Sequence, residues 1–324
     1  MYMRPKEKIL SAIRGDPLDS PPALPLIGVH SALLAGVNPR KAFSCGKLMA
    51  ELQIKALNFY KPDGIFHYMD LTLEAEALGA KVEFKGCTPV IVGHCAPDVI
   101  DFEVDRGRIR EFIEATRILY DRVSDKYFIG AYITGPLTLA MELIGFKEII
   151  KHLMRESHTI MGMFSKLTEF LQNYAKELID AGANGIMILE PCCALVSPKL
   201  FKQLTPYLNR LCESILRHEA YPFLHICGDA RHLLEIFPKV KASVFHIDYT
   251  VSLRKARRKL GDRCIMGNIS TSLLLTCKEA KIKKIAMKCI EEAGTHYYIL
   301  SAGCEIPPQT PPSNVKALIM ATRT

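Results

Sequence analysis

The sequence lacks the features that would place it in a membrane or outside the cell. No run approaches the roughly 18 to 20 uncharged apolar residues of a membrane span, and residues 1–10 are charged rather than an apolar signal core. The chain also has no CxxC pair, and its 11 cysteines are irregularly spaced, unlike the disulfide frameworks of small secreted proteins. These absences predict a cytoplasmic protein without membrane association, whose cysteines are mostly small buried apolar residues.

Two further absences concern partners and domain organisation. The formal net charge is +8, and much of it comes from Arg254–Lys259 and Lys281–Lys284, which lack interleaved aromatic residues. We therefore expect no nucleic-acid partner. The clusters indicate solvated helix faces or, alternatively, docking of an acidic partner or an anionic small molecule. No linker or low-complexity block divides the chain, so we expect residues 1–324 to form one domain with an N-terminal helical extension.

What is present is an alternation of apolar strand-like segments with amphipathic helical segments. Eight strand candidates with helical patterns between most of them predict a (β/α)8 TIM barrel, an α/β fold. A chain of 324 residues suits one such barrel. The predicted strands are Ala23–Gly28, Gly64–Tyr68, Tyr127–Ile133, Gly185–Leu189, Pro222–Cys227, Val244–Asp248, Cys264–Ile269 and Tyr297–Ala302.

Several helices and one excursion from the barrel are also predicted. Lys147–Leu153 and the long segment Ser157–Ala181 have apolar residues at helical spacing, and Ser197-Pro198 opens a further amphipathic helix. Between the second and third predicted strands, residues 81–92 alternate in polarity around Lys85-Gly86. This pattern predicts a small β-hairpin laid on the barrel.

The main chemical signal lies at the ends of two predicted strands. His225 and Cys227 are two residues apart on one strand, so their side chains point to the same side. Cys304 follows another apolar run and a glycine. All three would lie at the C-terminal face, where barrel enzymes keep their active sites. Because zinc readily takes cysteine sulfur and imidazole nitrogen, we predict a zinc site with one open position; the alternative is a half-buried histidine beside a core cysteine.

Carboxylates near the same face are further candidates. Asp248, on the next strand, is expected to be a displaceable fourth ligand or a hydrogen-bond partner of a ligand; alternatively it caps the following helix. His246 has the same parity and fits packing or support. Glu190 follows the fourth strand, and we predict catalytic roles for Asp248 and Glu190. Glu74 and Glu76 lie near a helix start and are candidates for supporting the metal site or accepting a hydrogen bond. Their alternative role is to stabilise the helix N-terminus.

Two turns are candidates for cofactor or substrate binding. Thr134-Gly135 ends the third strand before a helix, and its backbone N–H groups are expected to be free for an anion or a polar ligand edge. Gly267-Asn268 follows the seventh strand, where some barrels have a phosphate-binding loop. The predicted cofactor-binding set is therefore Glu74, Thr134, Gly135 and Asn268, with a plain turn or cap as the alternative for each.

Taken in order, these segments resemble the uroporphyrinogen decarboxylase superfamily and, within it, the methylcobamide:coenzyme M methyltransferases and related corrinoid methyltransferases. The resemblance runs over nearly the whole chain. The family's His-x-Cys…Cys zinc motif falls on His225, Cys227 and Cys304, and its acidic fourth ligand matches Asp248 by position. The segments that carry the resemblance are Met69–Gly79, Gly135–Ala140, Ser197-Pro198 with Phe201 and Pro206-Tyr207, His225–Gly228, Gly267-Asn268 and Gly303–Pro311.

The resemblance implies a zinc-dependent methyltransferase of methanogenesis or one-carbon metabolism. A thiolate on zinc, such as that of coenzyme M, would attack the methyl group of a methylated corrinoid, and cob(I)amide would leave. The corrinoid, in this role a co-substrate, is expected on a separate partner protein, because the chain has no Asp-x-His-x-x-Gly cobalamin-binding stretch. Transfer to tetrahydrofolate, or from a methoxy or methyl-halide donor, is an alternative that the sequence does not separate.

Two other functions remain open at this stage. One is uroporphyrinogen decarboxylation, but the founding decarboxylases of the superfamily use no metal and grip the substrate carboxylates with arginines of an N-terminal loop. The corresponding stretch here, Ser20–His30, contains no arginine. A porphyrinogen with eight carboxylates would lose that clamp, which counts against decarboxylation. The other is a non-catalytic module that binds zinc or a corrinoid protein.

Overall fold

The structure is a computed structural model that describes residues 3–95, 107–155 and 158–323. Its centre is a curled parallel sheet of seven strands, with a separate two-stranded hairpin. In chain order, the strands are β1 Gly64–Phe66, β2 Lys81–Lys85, β3 Thr88–Gly93, β4 Phe128–Thr134, β5 Gly185–Leu189, β6 Tyr221–Ile226, β7 Val244–Ile247, β8 Cys264–Ile269 and β9 Tyr298–Ala302. The large sheet has the spatial order β1-β4-β5-β6-β7-β8-β9. The fold is a TIM barrel, as predicted.

The first predicted strand, Ala23–Gly28, is wrong as a strand. The segment forms an isolated parallel bridge between Ala23 and Leu300 of β9. On its other side, the N–H of Asp63, which precedes β1, donates to the carbonyl oxygen of Ala23 at 2.9 Å. Irregular chain therefore fills the place between β9 and β1 and closes the ring. Pro22 and Pro25 lack the N–H groups that a regular ladder requires, which explains the irregularity.

The other predicted strands agree with the structure to within two residues at each end. The predicted hairpin is also present, because β2 and β3 pair antiparallel across the turn at Gly86, whose φ is +63°. Its residues 87–89 line a cavity at the mouth of the barrel. The hairpin therefore contributes one wall of the space above the sheet.

Helices surround the sheet, and those predicted are found with small changes at their ends. Ser157, the predicted start of the long helix, lies outside the described residues. The helices are α1 Pro5–Arg14, α2 His30–Leu34, α3 Pro39–Ala42, α4 Gly46–Tyr60, α5 Leu73–Ala77, α6 Ile109–Val123, α7 Pro136–Ile144, α8 Phe146–Met154, α9 His158–Asp180, α10 Pro198–Arg217, α11 Leu253–Leu260, α12 Thr271–Thr276, α13 Glu279–Ala293 and α14 Pro312–Met320. Within the described ranges, no helix combines the length and apolarity that a membrane crossing requires.

Two apolar layers hold the strand ends in place. Alternate strand residues point inward, where Phe66, Phe128 and Phe223 pack together inside the barrel with Ile9 of α1. The remaining strand residues, such as Ile186, pack outward against the helices. Because side chains alternate along every strand, the parity that puts Phe223 inside also puts His225 inside, two residues nearer the mouth. The core therefore fixes the direction of the first candidate ligand.

Candidate metal centre

Three predicted ligands meet at the C-terminal mouth of the barrel. His225 is the next-to-last residue of β6, Cys227 directly follows the strand, and Cys304 lies two residues beyond the end of β9. Their ligand atoms all lie within 4.8 Å of one another, and the two sulfurs are 3.7 Å apart. Among the described residues, these three form the one group of at least three His, Cys, Asp or Glu side chains close enough to share an ion.

The hydrogen bonds of His225 leave one ring nitrogen available. Its Nδ1 lies 3.2 Å from the carbonyl oxygen of His246, so Nδ1–H donates there and Nε2 carries the lone pair. Nε2 is buried and has no hydrogen-bond partner among the residues that the structure describes, which is costly unless a ligand occupies it. Metal-bound histidines usually donate their other N–H to a carbonyl or carboxylate in this way. The arrangement of His225 therefore fits a metal ligand.

The two cysteine thiols differ in how readily they ionise. The neighbouring Cys304 thiol, with its sulfur 3.7 Å away, lowers the pKa of the Cys227 thiol to about 5. The neighbouring Cys227 sulfur and burial raise the pKa of the Cys304 thiol. A divalent cation between the sulfurs would favour both thiolates, because thiolate is the form that binds metal. One nitrogen and two sulfurs are a donor set that suits zinc, with a position left for a further ligand.

The predicted fourth ligand, Asp248, lies at the adjacent strand end but outside this group of three. Its Oδ1 accepts the N–H of Thr250 at 2.9 Å, and its charge opposes ionisation of Cys227, which places it nearby. The side-chain amide of Asn268 donates to the carbonyl oxygens of Asp248 at 3.0 Å and Val251 at 2.7 Å. Asn268 therefore holds the loop that carries Asp248, and its role in binding a cofactor, like that of Asp248 as a ligand, stays a prediction.

The turn after β4 does not have the free N–H groups expected of it. The Glu190 carboxylate accepts the N–H groups of Leu137 and Thr138, each at 3.0 Å, at the start of α7. The N–H of Thr134 donates to Glu74 at 2.7 Å, and that of Gly135 donates to a backbone carbonyl. Protein groups thus occupy these amides, which corrects the expectation of an open anion site at Thr134-Gly135.

The same contacts describe what Glu190 does in the fold. Its second oxygen also accepts the hydroxyl of Thr138 at 2.8 Å, so the buried carboxylate caps α7. Burial raises its pKa to about 7, and the hydrogen bonds from Leu137 and Thr138 oppose that rise. A cap at a helix N-terminus stabilises the helix. These contacts indicate that Glu190 holds the mouth in shape, and they give no support to its predicted catalytic role.

Near β1, the candidate carboxylates are occupied in a similar way. Arg108 pairs with Asp70 at 2.5 Å and with Glu76 at 2.7 Å. Glu74 is 1 % exposed, and burial raises its pKa to about 8. Arg108 received no prediction from the sequence, because it lies 38 residues from Asp70 and follows no strand. No spacing rule connects the two.

Sequence reasoning also missed Glu305, which follows Cys304 directly. Its carboxyl is buried and accepts the N–H of Val29 at 3.1 Å, and burial raises its pKa to about 8. With Asp70, it lines a cavity of about 610 Å³ at the mouth, beneath the hairpin residues 87–89. The available signal is its position in Gly303–Pro311, a segment that carries the family resemblance and from which the sequence analysis takes only Cys304 as a site residue.

The sequence profile described as uroporphyrinogen decarboxylase (URO-D) matches residues 4–324. The chain belongs to the uroporphyrinogen decarboxylase family. Members of this family with different names are similar to it. A methylcobamide:CoM methyltransferase of Methanosarcina barkeri is 28% identical over 98% of this chain and 96% of its own length. The chloroplastic uroporphyrinogen decarboxylase 2 of Oryza sativa is 25% identical over 83% of this chain and 72% of its own length.

A solved structure has nearly the same backbone as this chain. A methyltransferase from Methanosarcina mazei superposes with a TM-score of 0.92, covers 99% of both chains and is 27% identical in sequence. The match extends over the whole barrel, including the ends of β6 and β9. The similarity thus covers all the elements that bring His225, Cys227 and Cys304 together.

Proposed function

We propose that the chain is a methyltransferase that moves a methyl group from a methylated corrinoid on a partner protein to a thiol such as coenzyme M, with zinc as its metal. The observation that carries the proposal is the convergence of His225, Cys227 and Cys304 within 4.8 Å. Similarity to a methyltransferase structure at a TM-score of 0.92 supports the same class of activity. In the reaction, an S–CH3 bond forms, the Co–CH3 bond breaks, cobalt keeps the electron pair and the thiol loses its proton.

In this proposal, His225 Nε2 and the sulfurs of Cys227 and Cys304 would hold the ion. When bound, zinc would supply a Lewis acid that keeps a coordinated substrate thiol deprotonated at neutral pH. Two cysteine thiolates make the donor set electron-rich, which preserves the nucleophilicity of an added sulfur. Asp248, held beside the site through Thr250 and Asn268, is proposed to be the ligand that the substrate displaces.

The lining of the mouth also argues against a porphyrinogen substrate. The cavity of about 610 Å³ beneath the hairpin is lined by Asp70 and Glu305 and by apolar residues such as Phe43 and Met69, with no basic side chain in its described wall. The arginine-free segment Ser20–His30 runs into the same region. A substrate with eight carboxylates would find no cationic clamp among the described residues of this wall. These observations favour methyl transfer over decarboxylation.

The experiment that tests the proposal follows the methyl group. Zinc-loaded protein is incubated with free methylcobalamin and, separately, coenzyme M, homocysteine or tetrahydrofolate, and the methylated product and cob(I)alamin are measured. We expect methylation of a thiol, about one zinc per chain, and loss of transfer after chelation with recovery on zinc addition. Methyl transfer to tetrahydrofolate and to neither thiol would identify tetrahydrofolate as the acceptor in place of a thiol. Carboxylate loss from uroporphyrinogen by metal-free protein, without methyl transfer, would overturn the proposal.

A further inference from the structure

A basic cleft lies at the rim of the barrel beside the metal centre. It encloses about 720 Å³ between the loops that follow β6 and β7 and helix α11, and Arg231, Thr250, Lys255 and Arg258 are among the residues that line it. The Thr250 hydroxyl donates to the carbonyl oxygen of Gly228 at 3.0 Å, and Gly228 follows the ligand Cys227. The end of the cleft at Thr250 therefore contacts the residue that directly follows Cys227 in the chain.

The protein neutralises part of the positive charge of this cleft, since Arg231 pairs with Asp229 at 2.6 Å, but within the described residues it leaves two cations on α11 unpaired. Helix α11 has the sequence LRKARRKL and contains no acidic residue. Arg257 turns inward, where its guanidinium donates to backbone carbonyls such as that of Tyr297, and Lys259 pairs with Glu235. Over the described parts of the chain, the side chains of Lys255 and Arg258 have no ion pair or hydrogen bond. An exposed, unpaired cationic surface of this kind attracts an anionic partner.

An apolar groove lies beside the basic cleft at the rim of the barrel. It measures about 410 Å³ and is lined by Phe146, Met154, Leu195 and Leu200, among others. Met154 is 75% exposed and Leu195 is 66% exposed, which is unusual for large apolar side chains grouped together. A ring nitrogen of His232, next to Arg231, lies 2.9 Å from the carbonyl oxygen of Val196 and joins the two regions.

We propose that an acidic surface of the corrinoid-carrying protein docks on this face, which we call the docking face and define by Met154, Leu195, Arg231, Lys255 and Arg258. The inference rests on the proposed function. A methyl group on cobalt must come into contact with the acceptor sulfur, so the carrier must cover the mouth and its rim. An exposed apolar centre beside a charged border is typical of a protein interface.

The charge distribution selects the occupant among other possibilities. A second copy of this chain would place one basic cleft near another, and like charges in an interface repel each other. A small anion would account for the cleft but not for the exposed Met154 and Leu195. Nucleic acid would account for the cations but not for the exposed Met154 and Leu195. A protein with acidic residues around an apolar patch fits both regions.

The test compares two methyl donors with one pair of substitutions. The donors are free methylcobalamin and a recombinant corrinoid protein of the same genome that contains the Asp-x-His-x-x-Gly motif and is loaded with methylcobamide. For the double variant Lys255→Glu/Arg258→Glu, we expect kcat/KM with the protein-bound donor to fall by about tenfold or more. With free methylcobalamin, it should stay within about twofold of wild type. Surface plasmon resonance of the two proteins should show the same weakening of Kd, and wild-type binding should weaken as salt rises.

The matched control is Arg117→Glu/Arg122→Glu on α6, which makes the same change in charge on an exposed helix across the barrel. This control should leave kcat/KM with both donors, and Kd for the corrinoid protein, unchanged. Leu216→Asp on α10 should also leave them unchanged. Leu195→Asp, in contrast, should lower kcat/KM with the protein-bound donor. Unchanged Kd and kcat/KM in Lys255→Glu/Arg258→Glu would overturn the docking face while leaving the proposed function intact. Absence of methyl transfer from either donor by the zinc-loaded wild type would overturn both.

Discussion

The mouth of the barrel has two sides that use similar residues for different purposes. On the side of the proposed metal site, which we call the metal side, at the ends of β6 and β9, the buried Nε2 of His225 has no hydrogen-bond partner within the described part of the chain. On the carboxylate side, Glu190 accepts three hydrogen bonds from the start of α7, and Asp70 pairs with Arg108. One side leaves donor atoms available, and the other satisfies its charged groups within the fold.

This difference separates ligand binding from support more clearly than residue type does. Buried acidic residues at a barrel mouth suggest catalysis, but their partners here are mostly backbone N–H groups and an arginine. Glu74 is intermediate, because one carboxyl oxygen accepts the N–H of Thr134 and the other has no partner. We expect substitutions on the metal side to remove zinc and those on the carboxylate side to remove stability. The following predictions test that separation.

The largest effect is expected for Cys304→Ala. The substitution removes one of the three proposed protein ligands, and since even the hydrogen-bond partners of ligands contribute about 10- to 100-fold to metal affinity, zinc affinity should fall by more than that. Zinc per chain, measured by mass spectrometry after dialysis, should drop to a small fraction of wild type with little change in circular dichroism. Cys212→Ala, at a buried cysteine of α10, should keep its zinc. A normal zinc content in Cys304→Ala would show that Cys304 is not a zinc ligand and that the metal side is wrongly assigned.

Arg108→Met should have the largest effect on stability. The Asp70 side chain is fully buried, and the Arg108 side chain is 10% exposed, so the substitution leaves a buried carboxylate without its counter-ion. Breaking such a pair costs about 3–5 kcal/mol, which urea denaturation of the zinc-loaded protein would measure. Arg40→Met is the control, because Arg40 also lies over the Phe84 ring, at 5.1 Å, but is exposed. Equal stability of the two variants would show that the ion pair is not needed.

Glu190→Gln should have a smaller effect of the same kind. The amide keeps one acceptor oxygen but turns an NH2 group toward donors at the start of α7, and a buried unsatisfied group costs about 1–3 kcal/mol. Zinc content should not change, and neither should kcat for methyl transfer at a temperature where the variant is folded. Exposed Glu169→Gln should be neutral. A large loss of kcat at wild-type stability would restore the catalytic role predicted from the sequence.

At Glu74, the expected effect is a change in how stability depends on pH and not a loss of stability at one pH. Burial raises the pKa of Glu74 to about 8 from an ordinary value of 4.5, so the folded state binds this proton more tightly than the unfolded state. Its contribution to stability is complete below about pH 4.5 and is lost as pH rises toward 8. The decrease in unfolding free energy across that range should be shallower in Glu74→Gln than in wild type. Exposed Glu114→Gln should match wild type, and an unchanged slope in Glu74→Gln would contradict the assignment.

The fold and the metal side could be predicted because both depend on local periodicity. A period of two fixed the direction of His225 relative to Cys227, and the alternation of strands and helices placed Cys304 at the same end of the barrel. The distance between the sulfurs follows from the curvature of the whole sheet and is not readable from spacing. The first strand was predicted from apolar content, which outweighed the prolines that prevent a ladder there.

The carboxylate side was less predictable for a different reason. The roles of Glu190 and Glu74 depend on which amides face them, and those amides belong to α7 and to the end of β4, more than 50 residues away in the chain. Glu190 and Thr134-Gly135 were each placed at the mouth correctly but treated as separate features, although one satisfies the other. Pairing of this kind requires coordinates.

Cys227 and Cys304 are separated by 77 positions in the chain and meet only when β6 to β9 have curled into their final arc. An unfolded chain would hold these sulfurs too far apart, on average, to share one ion. A bound zinc ion would therefore cross-link two segments that are separated by about a quarter of the chain. Its binding energy would favour the assembled state by mass action. Stripping the ion should therefore expose the later strands to proteases before the first half of the barrel is attacked.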